Sequence, residues 1–386
     1  MGRNFLNITQ NLLPSTLRTE QSVMIGAMRG KGSSPRILNF IKNHPSYNPC
    51  NINKWKITDL GEEKNSLDWE RLDMSHNGKI QTAIVDGIVN GGGNIYNSYD
   101  YGKTWQPSEQ NFNLNWYSIS LSKNGQIQTA VAQGDYIYNS YDYGKTWIQN
   151  SSAPKVWWIS VSISSTGQYQ TAVINGYFNR ENNGYIYRST DYGKTWNKCF
   201  NYNNAWIYIA ISNNGQYQTA VSFLIDNEDN PDNVMGYVFT SSNYGSSWTK
   251  NNSLLQSYYT CVGLNGTGQI QAVGVNNCNL YPATAGPIFI SYDYGQTFKQ
   301  TICPLDNWLN ISINNSGNII LAGSYQQTDE QNNIVPDTGK IMISYNYGKT
   351  WQQPTPILNT WTSTTIAKNA CIASATAWGS GIFTSI

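Results

Sequence analysis

The chain has little charge and almost no histidine. Only 12% of its 386 residues are Asp, Glu, Lys or Arg, and the formal net charge is +1. That removes a general case for nucleic-acid or membrane-surface binding. With His44 and His76 the only histidines, a histidine-based nucleophilic triad or metal site has almost no material, and both read as lone surface residues. Arginine stops at Arg188. The six cysteines (Cys50, Cys199, Cys261, Cys278, Cys303 and Cys371) contain no CxxC pair and no metal-ligand spacing, so they read mostly as free thiols. No apolar run is long enough to span a bilayer. Asn4, Asn7, Thr9, Gln10 and Asn11 break up what would be a signal-peptide core, and Leu6 stands where a myristoylation motif needs Ser or Thr. The compartment stays open, and no metal or cofactor is expected.

What the chain has instead is aromatic and neutral polar residues, including 14 Trp and 27 Tyr. A core built from these, among Asn, Gln, Ser and Thr, suits a β-rich fold. Charge is uneven: residues 1–50 carry Arg3, Arg18, Arg29, Lys31, Arg36 and Lys42 against the single acid Glu20. This basic arm is the one hint of a nucleic-acid or acidic partner, although six charges over fifty residues more simply cover the outside of a domain.

An octapeptide recurs six times, as SYDYGKTW at 98–105 and 140–147, STDYGKTW at 189–196, SSNYGSSW at 241–248, SYDYGQTF at 291–298 and SYNYGKTW at 344–351. A period of 42 to 53 residues, with short β segments inside each unit, predicts four-stranded propeller blades. The octapeptide reads as a tight turn joining two antiparallel strands. Asp100, Asp142, Asp191 and Asp293, with Asn243 and Asn346 in the other two copies, accept backbone N–H bonds, and the Gly takes a positive φ. Asn in two copies keeps the acceptor without the charge, so the role is structural rather than ionic. The hydroxyls pair leftover peptide groups and the closing Trp buries its ring.

Upstream of each turn, a Gly turn and a strand such as QTAVAQ follow an alternating strand such as WYSISLS at 116–122. Counting nine residues back from that Gly gives Trp69, Trp116, Trp158, Trp206, Tyr259 and Trp308, and Trp361 stands nine before Ala370. The seventh aromatic predicts a seventh blade that lacks its own fourth strand. Lys54-Trp55 resembles the end of an octapeptide, so the segment 53–60 is expected to supply that strand. The reading is all-β: a seven-bladed propeller of four-stranded antiparallel blades over residues 51–386, closed by an N-terminal strand. Residues 1–50 form a basic arm or extension outside the ring.

The motif S-x-D-x-G-x-T-W is the Asp box, or BNR repeat, and over residues 53–386 the chain resembles the Asp-box propellers. That group includes sialidases, xyloglucan-cleaving glycosidases, sortilin-like receptors and a photosystem assembly factor. The resemblance implies the fold and leaves the activity open. The near-identical, Asn-, Tyr- and Ile-rich repeats also look like propellers encoded by large DNA viruses of protists, which implies a virion setting.

The resemblance to sialidases implies three arginines on a carboxylate, an Arg-Ile-Pro segment and a Tyr/Glu pair. No Arg-Ile-Pro occurs and blades four to seven contain no Arg, so sialidase activity is not expected and no catalytic residue is assigned. A xyloglucanase-like reaction needs two facing carboxylates. Asp68, Asp73, Asp86, Asp135 and Asp306 are the candidates, and solvated surface acids are the plainer reading. The stretch DNEDNPDN at 226–233 has the composition of a Ca²⁺ loop without ordered ligand spacing.

Loop length varies on one rim, at 179–184, 225–236, 276–286 and 326–339, the place where repeat scaffolds carry binding. The seven aromatics Trp69, Trp116, Trp158, Trp206, Tyr259, Trp308 and Trp361 would ring the channel mouth on that face. They suit sugar stacking, or else seal contacts between blades. The leading expectation is a non-enzymatic binding or structural propeller for a glycan or protein partner. The rivals are a glycoside hydrolase with paired carboxylates and an assembly-factor scaffold.

Overall fold

The computed structural model describes residues 52, 54–87, 93–110, 112–176, 184–200, 205–225, 234–277, 284–326, 338–354, 357–368 and 371–385. The basic segment 1–50, His44, Cys50, Cys278, the acidic stretch 226–233 and most of the four long loops lie outside the described residues.

Seven antiparallel sheets follow one another around a ring. Blade one consists of Trp69–Met74, Gln81–Val85, Ile95–Ser98 and Gln106–Pro107, and blade two of Trp116–Leu121, Gln128–Ala132, Ile137–Ser140 and Ile148–Asn150. The later innermost strands are Trp158–Ile163, Ala205–Ile211, Tyr259–Leu264, Trp308–Ile313 and Trp361–Ile366. Each sheet is ordered from inner to outer strand, and blade four adds a short strand, Val234–Met235, on its second strand. Blade six keeps three full strands, with the Ile343–Gln352 bridge in place of the fourth. One short helix, Glu62–Asn65, lies between the closing strand and blade one.

Closure follows the sequence reading. Trp55–Ile57 pairs antiparallel with Gly381–Ser385, Trp55 opposite Ser385 and Ile57 opposite Phe383. It thereby becomes the fourth strand of blade seven. Thr58 Oγ1 then donates to Gly102 O of the first Asp box at 3.2 Å. Gly381–Ser385 is thereby paired on both sides and is not left as the edge of its sheet.

The innermost strands depart from the strict alternation expected. In all seven blades the register slips between the aromatic and the residue two positions on, as between Trp69 and Arg71 or Trp116 and Ser118. This β-bulge reverses the parity of the side chains. Trp116 therefore packs in one cluster with Ile119 and Leu121, and Trp69 with Leu72 and Met74. The residues two and four positions after each aromatic are left to face the next blade and the axis.

Polar side chains join the blades at two levels. Thr82, Thr129, Thr171 and Thr219 each donate to the Gln of the next blade (Gln128, Gln170, Gln218 and Gln271), and Ser374 donates to Gln81. Each of these Gln residues also donates to its own Gly turn, as Gln128 Nε2 does to Gly125 O at 3.0 Å. Nearer the axis, Val161 N donates to Ser118 Oγ and Ile163 N to Ser120 Oγ. The QTA signature is thus an inter-blade ladder as well as a strand.

In the Asp box, Asp100 Oδ1 accepts from Thr104 N at 2.9 Å and Oδ2 from the Thr104 hydroxyl at 2.7 Å. Ser98 Oγ accepts from Gly102 N, and Trp105 Nε1 donates to Gly102 O. Tyr101 (φ 68°) precedes Gly102 (φ 80°) in the left-handed region. The sequence reading assigned that conformation to Gly alone, but the tyrosines at the same place share it in all six copies. Tyr99, Tyr141 and Tyr292 hydroxyls donate to the carbonyls of Tyr143, Tyr192 and Tyr347 in the next box.

Candidate functional site: the central channel and its mouth

Each innermost strand starts at its aromatic and ends at the Gly turn, so one end of the axial channel is a mouth and the other a floor. The Asp boxes lie on the floor side, and the connections between blades lie on the mouth side. The cavity along the axis has a volume of about 140 Å³ and is lined by all seven innermost strands.

All seven aromatics proposed for ligand stacking are buried: Trp69, Trp116, Trp158, Trp206, Trp308 and Trp361 at 0% exposure and Tyr259 at 1%. Most spend their polar atom inside the protein, as Trp308 Nε1 does on Gly286 O and Tyr259 Oη on Leu255 O. They pack in the cores between blades. A ring with no exposed face cannot stack on a sugar, so the sealing role is the one their geometry serves.

The candidate acids separate. Asp135 Oδ2 pairs with Lys155 Nζ at 3.0 Å while Oδ1 accepts from Tyr138 Oη at 2.8 Å. Asp306 is buried and accepts from Asn307 N and the Ser324 hydroxyl. Asp73 faces the channel and accepts from Leu121 N and Met74 N, both at 2.8 Å. Asp68 and Asp86 meet across the first hairpin, where Asp86 N donates to Asp68 O at 2.9 Å. Beside them is Glu70, which the sequence reading did not single out. Burial holds its carboxyl up at about 7, against the lowering pull of Arg71 and with help from Asp86 and Asp68.

Other axial groups were also missed. Arg71 NH1 donates to Thr362 O at 3.3 Å, and its guanidinium sits 4.9 Å from the centre of the Tyr208 ring. Lys368 reaches from blade seven across the floor and donates to the carbonyls of Leu264 and Ile313. Burial lowers it to about 8, with Asp73 opposing. His76, expected on the surface, is buried at 8% exposure, with Nε2 3.4 Å from Ser165 Oγ. Burial, then Lys368 and Lys123, lower it to about 4 and keep it neutral at pH 7.

The floor is laced together. Six backbone hydrogen bonds run turn to turn, from His76 N to Lys123 O, Lys123 N to Ser165 O, Ser165 N to Asn213 O, Asn213 N to Gly266 O, Gly266 N to Asn315 O and Asn315 N to Lys368 O. Asn213 Nδ2 also donates to Asn315 Oδ1 at 2.6 Å, passing over the side-chain-free Gly266.

Cys199, Cys261 and Cys303 are free thiols, whereas Cys371 is disulfide-bonded, which its spacing had not signalled. Among the described residues no three metal-ligating side chains gather, and no helix is long and apolar enough to cross a membrane.

The BNR-Asp box repeat family matches residues 186–199, the third strand, turn and fourth strand of blade three. The chain is a seven-bladed β-propeller that carries an Asp-box repeat. None of the curated proteins compared with it matches. Among solved structures, YCF48 bound to D1 peptide superposes with a TM-score of 0.59 at 14% identity, over 88% of this chain and 98% of that one. YCF48 from Cyanidioschyzon merolae gives 0.59 at 13% identity, over 86% and 98%. The GH74 xyloglucanase from Xanthomonas campestris gives 0.54 at 10% identity, over 84% of this chain and 66% of that one. Identities this low speak for the fold alone, and nothing in these comparisons supports a viral origin.

Proposed function

We propose that this propeller is a non-catalytic binding module that takes a segment of a partner protein on its mouth face. The observation that carries the proposal is where apolar surface is left uncovered. Leu255 (87% exposed), Ile302 (75%) and Leu305 (55%) sit in the connections before blades five and six, and Trp378 (46%) caps a hairpin of blade seven. Leu255, Leu305 and Trp378 lie on the mouth side, where exposed large apolar groups suit a protein interface. The exposed aromatics of the Asp-box rim are tyrosines, one of which, Tyr292, spends its hydroxyl on the next blade. One similar fold is described as bound to a peptide, which favours a protein segment over a glycan as the class of ligand.

A phage-displayed peptide library panned on the purified chain tests this. Enriched peptides should bind the wild type and lose at least tenfold in affinity to Leu255→Asp/Leu305→Asp and to Trp378→Ala. Peptides that bind these variants equally well, or binding confined to a glycan array, would reject it.

One observation favours glycoside hydrolysis as a second reading: Glu70, protonated well above the usual carboxylate range, stands with Asp68 and Asp86 at the mouth, as an acid and its partner would. Hydrolysis of an aryl glycoside that survives Glu70→Gln would remove it.

A further inference from the structure

We infer that the upper channel binds a small monovalent anion of halide size on the Nε–H of Arg71, beside the Tyr208 ring. Arg71 is enclosed by protein, and the surface it keeps lines the axial cavity. NH1 is spent on Thr362 O and the guanidinium rests near Tyr208. Nε is buried and has no hydrogen-bond partner. A guanidinium presents its N–H groups in a fixed fork and stays charged in any protein environment, so an unspent buried N–H calls for an acceptor.

The charges of the channel give the same answer. Lys368 at the floor has its counter-charge in Asp73, each acting on the other, and two carbonyls besides. Arg71 has the pull of Glu70, whose carboxyl burial holds up at about 7 and which shares its place with Asp86 and Asp68, but its Nε–H is left without an acceptor. A buried N–H without an acceptor is unfavourable, and a bound anion supplies one.

Space and wall chemistry set the size. A cavity of about 140 Å³ holds a few waters, at roughly 30 Å³ each, or one partly hydrated halide. Ser118 Oγ accepts from Val161 N, which leaves its hydroxyl hydrogen to turn toward an anion. The site stands apart from what the mouth face binds.

Crystals of the full chain soaked in sodium bromide should show an anomalous peak within hydrogen-bonding distance of Arg71 Nε, absent in Arg71→Met. In solution, chloride or bromide should raise the melting temperature by about 1–3 °C over sodium gluconate of equal ionic strength. That rise should vanish in Arg71→Met and shrink in Arg71→Lys, which keeps the charge without the fork. If Arg71→Met does not fold, the Arg71→Lys comparison decides. A channel without bromide in the wild type, or a halide-dependent rise unchanged in both variants, would overturn the inference.

Discussion

The Asp142 carboxylate accepts from the Thr146 hydroxyl at 2.6 Å, and at the same place in blade four the amide Asn243 Nδ2 lies 2.8 Å from Ser247 Oγ as the donor. The turn therefore needs a hydrogen-bonding side chain there, while the charge is dispensable. Asp142→Asn should cost less than about 1 kcal/mol and Asp142→Ala about 2–3 kcal/mol, read from urea midpoints. Burial pushes the Asp142 carboxyl up, but the Thr146 hydroxyl and amide, the Ser140 hydroxyl and the Lys145 amide outweigh it and leave it below the usual range. Its contribution is thus complete above the unfolded value near pH 4 and lost as pH falls through the lower folded value. The Asn variant should lack that acid dependence.

Trp308 Nε1 donates to Gly286 O at 3.0 Å, whereas the equivalent Trp116 Nε1 is buried without a partner. Trp308→Phe removes one of the two hydrogen bonds that Gly286 O accepts, the other coming from Asp306 N at 3.2 Å, and Trp116→Phe removes an unpaired donor. Chemical denaturation should find the first costlier by about 1 kcal/mol, and Ala at either position should cost about 3–5 kcal/mol.

A Cβ on Gly266 would stand 1.8 Å from Asn315 Oδ1 and 2.6 Å from Asn213 Nδ2. Gly266→Ala should break that side-chain bridge and cost about 1–2 kcal/mol. In an Asn315→Ala background the same substitution should cost far less, a coupling that a double-mutant cycle measures.

Lys368 releases its proton at about 8 when folded, against 10.5 in the unfolded chain. Between those values the unfolded state holds more protons, so this residue makes stability rise with pH there. Lys368→Met should remove the rise, seen as a narrowing gap between variant and wild type from pH 8 to 10.5. A gap independent of pH would contradict the burial of a charged amine.

Glu70 behaves in the opposite sense. With its carboxyl raised to about 7 from 4.5, the folded state holds the extra proton, so stability falls as pH rises through that interval. Carbon-detected NMR of the Glu70 carboxyl should give a midpoint near 7, and Glu70→Gln should flatten the corresponding part of the stability curve.

The ring was legible because its signals repeat. Six Asp boxes set the period, Trp361 revealed the seventh blade, and Trp55 marked the closing strand that pairs with Ser385. The bulge behind each aromatic was hidden, since a register slip changes which face a side chain takes without changing its identity. Its trace is nonetheless visible in the sequence, because Trp116, Ile119 and Leu121 share one core at a spacing that unbroken alternation forbids. The axial groups were missed for a related reason. Asp73 stands where blades two, three and six carry Ser120, Ser162 and Ser312, and Arg71 and Tyr208 stand where others carry Ser118, Ser160 and Ser363. Comparing the seven inner strands position by position exposes these departures, whereas counting acids and histidines along the chain does not. His76 looked peripheral because its neighbours in sequence are turn residues. Only the closing of the ring brings Ser165 of blade three to its side.

The laced floor gives the molecule a direction. With the seven turns bonded in series and Lys368 and the Asn213–Asn315 bridge lying across them, the floor end of the axis is tied turn to turn, and the two ends of the channel differ. A protein segment seated on the mouth would therefore meet the end of the ring that carries the longer loops and not the end that carries this lacing.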